Sequence, residues 1–577
     1  MIKQRRGTAN TVRDVILKNL GVSTTEDIND WFRKSYAGGY RIDGLDTAVK
    51  MITGTKWDRI CVCGDYDVDG VTSVAQFRLA LGELNLPVWD RIPHRFSEGF
   101  GLNREMIKEI PDGNNLIITV DNGIAAHDAV DFAKERGFHV IITDHHLPVV
   151  EQGQIRLPNA DLIIDPNAIA GSADFNGYCG SGIAYRLLKE LIVHFMKQTT
   201  DSLSLSAYKS LIQRLETLAM VGTISDVMEL REENYVIVRN GLKKLNQGIA
   251  PSGLLALKKR LWLNNAVASD MGFKVGPCLN ANGRLSDRGA ERSVDLLSAQ
   301  SEKDAISLAE LSFTNNNLRK QQVEKAMIIA NAQIEAGRMR DDMPLVVCIP
   351  NINEGIIGII AGKLCEKFGN ISMVFTNSDE EGVLKGSARA ADGLNLKQLL
   401  DDIPDCFLSY GGHEGAAGMS IKDSNLKAMI IRAKGKIKEY GWNPNRQDLL
   451  EYDFEIKNEE VPEMLEELSK FAPFGNGNPD VVFKITGFRL LPGTNGKFFQ
   501  EIGREGVKLV SEYSQAIAFD MLNDFKQRGD LVLTLYGTLS YNYFKDETIP
   551  QINFLDFDVE SNEIINEFVE QLKKKAV

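Results

Sequence analysis

Three carboxylates stand two residues apart in Gly64-Asp65-Tyr66-Asp67-Val68-Asp69-Gly70, directly after the apolar run Ile60-Cys61-Val62-Cys63. Unpaired acids crowded in this way repel one another and are costly to bury, so the chemistry they suit is the holding of a hard divalent cation. A calcium loop of the EF-hand kind is excluded, because its closing glutamate position holds Gln76. Farther along stand Asp121-Asn122-Gly123, Asp144-His145-His146, Asp165-Pro166-Asn167 and Ser225-Asp226. As ligands, Asp65, Asp67, Asp69, Asp121, His145 and Asp226 suit Mn2+ or Mg2+ better than a thiolate-loving metal. The set exceeds what one ion needs. Two ions about 4 Å apart, bridged by a carboxylate, activate a nucleophile for in-line attack at phosphorus, and Asp121 is the expected bridge.

Each cluster alone is an ordinary turn with Asx hydrogen bonds or a satisfied histidine. What joins them is the pattern of elements around them. Short apolar runs at 60–63, 116–120, 140–143 and 162–164 read as strands, and 71–84 and 125–136 as helices between them. Strand and helix in alternation, with near-continuous apolar strands, predict an α/β lobe with a parallel sheet covered on both faces. The clusters at 65–69, 121–123, 144–146 and 165–167 each follow a strand, so these four fall on the carboxyl edge, where open α/β sheets bind ligands, while Asp226 comes later, within a helical stretch.

The rest of the chain divides by pattern. Residues 1–55 read as a helical support segment, with a cap at Ser23-Thr24-Thr25-Glu26. The metal-binding lobe spans 56–245. A helical connector, 246–340, ends in a polar helix over 302–338. A second α/β lobe, 341–440, starts at Leu345-Val346-Val347-Cys348-Ile349 and continues to turns at Gly386-Ser387-Ala388-Arg389 and 411–418. After a boundary near Gly441-Trp442-Asn443-Pro444, residues 441–577 carry five or six short strands, which suggest a C-terminal all-β, OB-type barrel. Tyr541, Tyr543 and Phe544 there are candidates for stacking on bases, although aromatics at alternate strand positions are more often core.

At 577 residues, with 25% charged and 43% hydrophobic residues, the composition is that of a multidomain globular protein. No apolar run reaches membrane-spanning length, and no apolar stretch follows Met1-Ile2-Lys3-Gln4-Arg5-Arg6, so neither a membrane span nor a secretion signal is expected. Seven scattered cysteines read as reduced thiols of a cytoplasmic protein, and Cys61-x-Cys63 has the wrong spacing for a zinc knuckle. A net charge of −13 weighs against general nucleic-acid binding, but total charge does not say where charge sits. Basic groups occur at Lys258-Lys259-Arg260, at Arg284, Arg288 and Arg292, and at Arg319-Lys320; by spacing alone these are solvated helix faces.

With those residues in view, the chain resembles the DHH phosphoesterases, through 64–70, Val120-Asp121-Asn122-Gly123-Ile124, Asp144-His145-His146 and Ser225-Asp226-Val227. Within that superfamily it is similar to the RecJ family of single-strand-specific 5'→3' exonucleases. The stretches that carry this likeness run in order from about residue 56 to the C-terminus: Pro93-His94-Arg95, 96–102, Leu279-Asn280-Ala281-Asn282-Gly283-Arg284-Leu285, Gly411-Gly412-His413 and Pro473-Phe474-Gly475-Asn476-Gly477-Asn478-Pro479.

The resemblance implies two Mn2+ ions, with Mg2+ as the substitute, held by Asp67, Asp69, Asp121, His145 and Asp226, with Asp65 as a further ligand or orienting group. It implies that His146 contacts the scissile phosphate and that Asp144 fixes the histidine geometry. Arg95, Arg284, Ser387, Arg389, Gly411, Gly412 and His413 are implied to meet the nucleic acid. The implied activity is processive degradation of single-stranded DNA to 5'-mononucleotides in repair and recombination, by a monomer. Implied partners are a single-strand binding protein and a RecQ-type helicase. Two alternatives stay open: a nanoRNase or cyclic-dinucleotide phosphodiesterase, and an inactive single-strand-binding replication scaffold. Cys278 and Asn353 depart from the family pattern, which removes one cation and one imidazole from the expected phosphate track. Cys63 stands where several relatives place a histidine ligand, and reads as buried strand.

Overall fold

The computed structural model describes residues 3–4, 11–337, 339, 343–391, 393–442, 450–493, 496–503, 505–526, 531–544 and 547–560. Five strands, β1 (Arg59–Cys63), β2 (Val88–Arg91), β3 (Asn115–Val120), β4 (His139–Thr143) and β5 (Leu162–Ile164), form a sheet in the order β2-β1-β3-β4-β5. All neighbours are parallel. Alternate residues feed two cores. Ile60, Val62, Leu116 and Ile118 enter one, while Cys61, Cys63, Ile117 and Ile142 enter the other. Burial on both faces is the reason these strands read as unbroken apolar runs. Edge strand β2, with Asp90 and Arg91 among its four residues and half-exposed, carries no such run and was not foreseen.

Three helices cover the site side of the larger core: α1 (Val68–Glu83), α2 (Gly180–Met196) and α3 (Ser202–Ser225). The described helices among the first 55 residues pack on two different cores. Helix Leu45–Gly54 packs into the first lobe through Leu45, Ala48 and Ile52, whereas helices Val12–Asn19 and Thr25–Tyr36 contribute Ile16, Leu20 and Ile28 to the core of the C-terminal sheet. Thr24 caps the second of these, with Asp27 rather than Glu26 closing the capping box.

In the connector, α4 (Gly276–Leu285) precedes α5 (Glu302–Gly337), whose 36 residues span about 54 Å. One stripe of α5 serves two lobes: Ala305, Ala309, Ser312 and Asn316 are buried along its first half, and Val323, Ala326, Ala330 and Ile334 enter a core with the second lobe.

That lobe contains β6 (Leu345–Cys348), α6 (Glu354–Phe368), β7 (Ser372–Asn377), β8 (Val383–Arg389), β9 (Ser409–Gly412) and β10 (Ala416–Lys422), in the sheet order β9-β10-β8-β7-β6. Only β6 and β7 are parallel. The glycine-rich stretches expected as turns are largely strand. Gly386 sits inside β8 because a Cβ there would lie 2.4 Å from the Phe375 ring, so its glycine serves close packing rather than a bend.

Residues 443–449, within the expected last boundary, lie outside the described residues. Beyond them a seven-stranded mixed sheet runs β11 (Phe454–Lys457), β12 (Phe483–Arg489), β16 (Val532–Phe544), β17 (Glu547–Val559), β15 (Gln515–Ala518), β14 (Gly506–Val510) and β13 (Gln500–Ile502). Tyr541 packs against its core and stands 6.1 Å from Tyr543; the side chain of Phe544 lies outside the described residues. No helix among the described residues is long and apolar enough to cross a membrane.

Candidate metal centre and nucleic-acid interface

Close backbone packing sets the acids in place. Asp67 caps α1, its Oδ1 accepting from the amides of Asp69 and Gly70 at 2.9 and 3.2 Å. A Cβ on Gly70 would lie 2.4 Å from the Asp65 carbonyl oxygen, so only glycine lets the loop fold back on itself there. Asp69 is gripped from outside its own element: Gly180 and Ser181, at the amino end of α2, donate their amides to its two carboxylate oxygens at 2.7 and 2.9 Å. The positive end of that helix thus points at the acidic cluster. Gly180 is obligatory for this approach, since its Cβ would come 2.4 Å from that of Asp121.

His145 sits at the centre. Its Nε2 lies 3.1 Å from Asp121 Oδ1, 3.7 Å from Asp226 Oδ2 and 3.8 Å from Asp69 Oδ2. Two overlapping donor sets have atoms within 4.8 Å of one another: Asp69, His145 and Asp226, and Asp121, His145 and His146. Asp121 holds a left-handed backbone, φ 62°, at the end of β3. Asp65 donates nothing to either set; Gly101 N–H reaches its Oδ1 at 3.3 Å, and its buried Oδ2 has no hydrogen-bond partner.

Burial, with the charge of Asp67, pushes Asp65 up to about 8. Burial with Asp69 and Asp67 likewise raises Asp226 to about 8, and Asp67 and Asp121 are also raised. Buried acids that repel one another, an orphaned carboxylate oxygen and a central imidazole lowered by burial form a donor set that fits hard divalent cations.

His146 is held differently. Its Nδ1 lies 2.7 Å from Asp144 Oδ1, which leaves Nε2 as the free ring nitrogen. Burial alone would lower this histidine, but Asp144, with Asp226 and Asp69, raises it to about 9. Burial would raise Asp144; the bond and charge of His146 and the amide of Ile124 overcome that and hold it low. From the fourth strand end, Asn167 donates its side-chain amide to the His145 carbonyl at 2.6 Å. Exposed Phe100 stands edge-on between Tyr66 and His146.

A second cluster is cationic. Burial and the neighbouring Arg95, Arg319 and Arg389 lower Arg284 to about 9. These four guanidinium groups come from the first lobe, α4, α5 and the second lobe, so Arg284 and Arg319 are not solvated helix faces. Arg95 lies 4.4 Å over the Tyr66 ring, and its Nη1 is buried without a partner. Arg284 donates to the Gly355 carbonyl at 3.0 Å, and Arg389 to Ser387 Oγ at 3.2 Å. Mutually repelling cations with unspent donors suit an anion with several oxygens.

Ser387 lies opposite Gly418, which lies opposite Gly411. A Cβ on Gly411 would meet open space, whereas Gly412, φ 149°, is required by the hairpin, since its Cβ would lie 2.3 Å from Ala416 O. His413 is exposed at that hairpin and hydrogen-bonds within its own turn. Cys278 is fully buried and accepts from Asn316, and Asn353 caps α6 through Gly355 N–H at 2.7 Å. Cys63 is fully buried in the core beneath the sheet.

Sequence reasoning missed Gly180 and Ser181, read Arg319 as part of a solvated helix face, and gave Phe100 no role of its own within the 96–102 stretch. Only the Cys179-Gly180-Ser181-Gly182 helix start offered a local signal, and nothing local ties it to Asp69.

The DHH family N-terminal domain model matches residues 59–223, the DHHA1 domain model 342–439 and the RecJ OB domain model 452–556. The two α/β lobes are thus those of the DHH class. The single-stranded-DNA-specific exonuclease RecJ of Dickeya dadantii is 32% identical over 472 residues, covering 78% of this chain and 79% of that protein. The chain belongs to the RecJ family. In the solved structures, RecJ of Thermus thermophilus in complex with Mn2+ superposes with a TM-score of 0.70 at 24% identity, over 90% of this chain and 72% of that one. A manganese-bound exonuclease RecJ gives 0.59 at 27% identity, over 71% and 98%.

Proposed function

We propose that this protein is a divalent-metal-dependent exonuclease that degrades single-stranded DNA from its 5' end, processively, to 5'-mononucleotides, with Mn2+ as its preferred ion and a role in DNA repair and recombination. One observation carries the proposal: the largely buried cluster of Asp69, Asp121, His145 and Asp226 at a sheet edge, with four guanidiniums from four parts of the chain gathered nearby. Membership in a family whose relatives are named single-stranded-DNA-specific exonucleases supports the substrate, and the manganese-bound relative supports the ion.

Bound at this cluster, two divalent ions supply the positive charge that stabilises a phosphorane-like transition state and lowers the pKa of attacking water. Asp69, Asp121, His145 and Asp226 hold them, with Asp67 beside them and Asp65 as ligand or orienting group. His146, fixed at Nδ1 by Asp144, keeps Nε2 to polarise the scissile phosphate or protonate the leaving oxygen. Arg95, Arg284, Arg389 and Ser387, with the Gly411-Gly412-His413 edge, grip the 5' phosphate and the strand behind it. Single-strand binding protein and a helicase are the partners proposed to supply the strand.

Asp121→Ala tests the proposal. It is expected to abolish Mn2+-dependent degradation of a 5'-phosphorylated oligonucleotide, and degradation at the wild-type rate would refute the assignment. Comparing a dinucleotide with a 30-mer separates this activity from that of a nanoRNase, since only the exonuclease prefers the longer strand.

A further inference from the structure

The metal-site loop has a strained backbone. Val227, directly after Asp226, holds φ 56°, a left-handed conformation that a β-branched residue rarely adopts, while its side chain is 65% exposed and fixed by no core. The carboxyl end of α3 accounts for part of this conformation, Val227 N–H donating to the Ile224 carbonyl and Met228 N–H to that of Thr223, both at 3.1 Å, and a contact from outside the loop braces it further. What meets it is the turn at 473–479, some 250 residues away, whose residues the metal site does not use.

Asn476 donates its side-chain amide to the Val227 carbonyl at 2.7 Å and accepts, through its own carbonyl, from Leu230 N–H at 2.7 Å. Arg231 Nε reaches the Gly477 carbonyl at 3.3 Å. The turn is itself braced. Gly475 and Asn478 exchange both backbone hydrogen bonds, and the buried Asn478 amide donates to the carbonyls of Phe471 and Pro473. Contact with the loop is tight enough that a Cβ on Gly477, φ 75°, would lie 2.9 Å from that of Glu229. A rigid turn leading into the C-terminal sheet therefore bonds the loop at both Val227 and Leu230, the strained peptide lying between Asp226 and those bonds.

We propose that this turn is a positioning device for Asp226: Asn476, by bonding the carbonyl of the left-handed Val227, braces the end of α3 so that the Asp226 carboxylate stays among the other ligands, and so couples docking of the C-terminal domain to assembly of the metal centre. The inference rests on the metal-binding assignment above and adds Asn476 as a positioning residue. A metal centre so built binds Mn2+ most tightly while the C-terminal domain is docked.

Mn2+ titration followed by electron paramagnetic resonance of the free ion, on full-length protein without substrate, tests it. Asn476→Ala is expected to weaken Mn2+ binding about three- to ten-fold, the loss of one hydrogen bond, with an unchanged thermal midpoint. Glycine relieves the strain, so in a Val227→Gly background the same substitution is expected to cost less than about two-fold. Wild-type affinity in Asn476→Ala, or an equal loss in both backgrounds, would overturn the inference. If Gly477→Ala, built to push the turn off Glu229, also left Mn2+ affinity unchanged, that would count against it in the same way. Absence of Mn2+ binding by the wild-type protein would instead refute the metal-binding assignment and this inference with it.

Discussion

At the scale of single residues, the chemistry follows from unequal treatment of similar side chains. His145 is lowered by burial and sits among carboxylates, as a ligand must, while His146, one position on, is tied to Asp144 and raised. His146→Ala is expected to lower kcat about 10²- to 10⁴-fold, the usual worth of one acid–base group, with Mn2+ stoichiometry unchanged; loss of metal in that variant would recast His146 as a ligand. The acids give a pH prediction. Asp65 and Asp226 move from an ordinary 3.8 to about 8, and Asp67 and Asp121 rise too, so between these limits the folded metal-free protein holds protons that the unfolded chain has released. Stability must then fall as pH rises through that window. In chelator, the thermal midpoint is expected to be lower at pH 8 than at pH 6, and Mn2+ to raise it more at pH 8. A midpoint that climbs with pH in chelator would contradict the assignment of these shifts.

At the scale of elements, the decisive contact is the amino end of α2 against Asp69 and Asp121. Gly180→Ala drives a methyl group into Asp121 and is expected to cost about 1–3 kcal/mol of stability along with high-affinity Mn2+ binding, measured by melting and metal titration; normal Mn2+ binding would show that this approach is not needed. Four of the five strands of the first lobe were legible because burial on both faces writes itself as apolar runs such as 116–120, and the acids at 65–69, 121 and 144 were legible because each follows such a run, whereas Asp226 follows helix α3. Asp69's partners were not, since Gly180 lies 111 positions away and its glycine signals a close approach without saying to what. In the second lobe, Gly386 and Gly411 resembled turn residues although both lie in strands, because the sequence does not distinguish a glycine needed for φ from one needed for space.

Across the whole molecule, α5 ties the two α/β lobes together with one stripe of small and apolar residues, and the 473–479 turn ties the C-terminal domain back to the loop after Asp226. The cation cluster belongs to this scale alone. Arg284, Arg319 and Arg389 come from three elements and Arg95 from a turn, and spacing made two of them look like solvated faces. Arg284→Gln is expected to raise KM for single-stranded DNA about ten-fold and to reduce the salt dependence of binding by about one unit of log–log slope, with Mn2+ binding intact; an unchanged KM would remove Arg284 from the strand's path. The most direct test of the central claim is degradation of 5'- and 3'-end-labelled strands, single and double, in Mn2+ and in chelator. The expected result is early release of the 5' label as mononucleotide, from single strands only and only with metal; early release of the 3' label, or degradation in chelator, would contradict it.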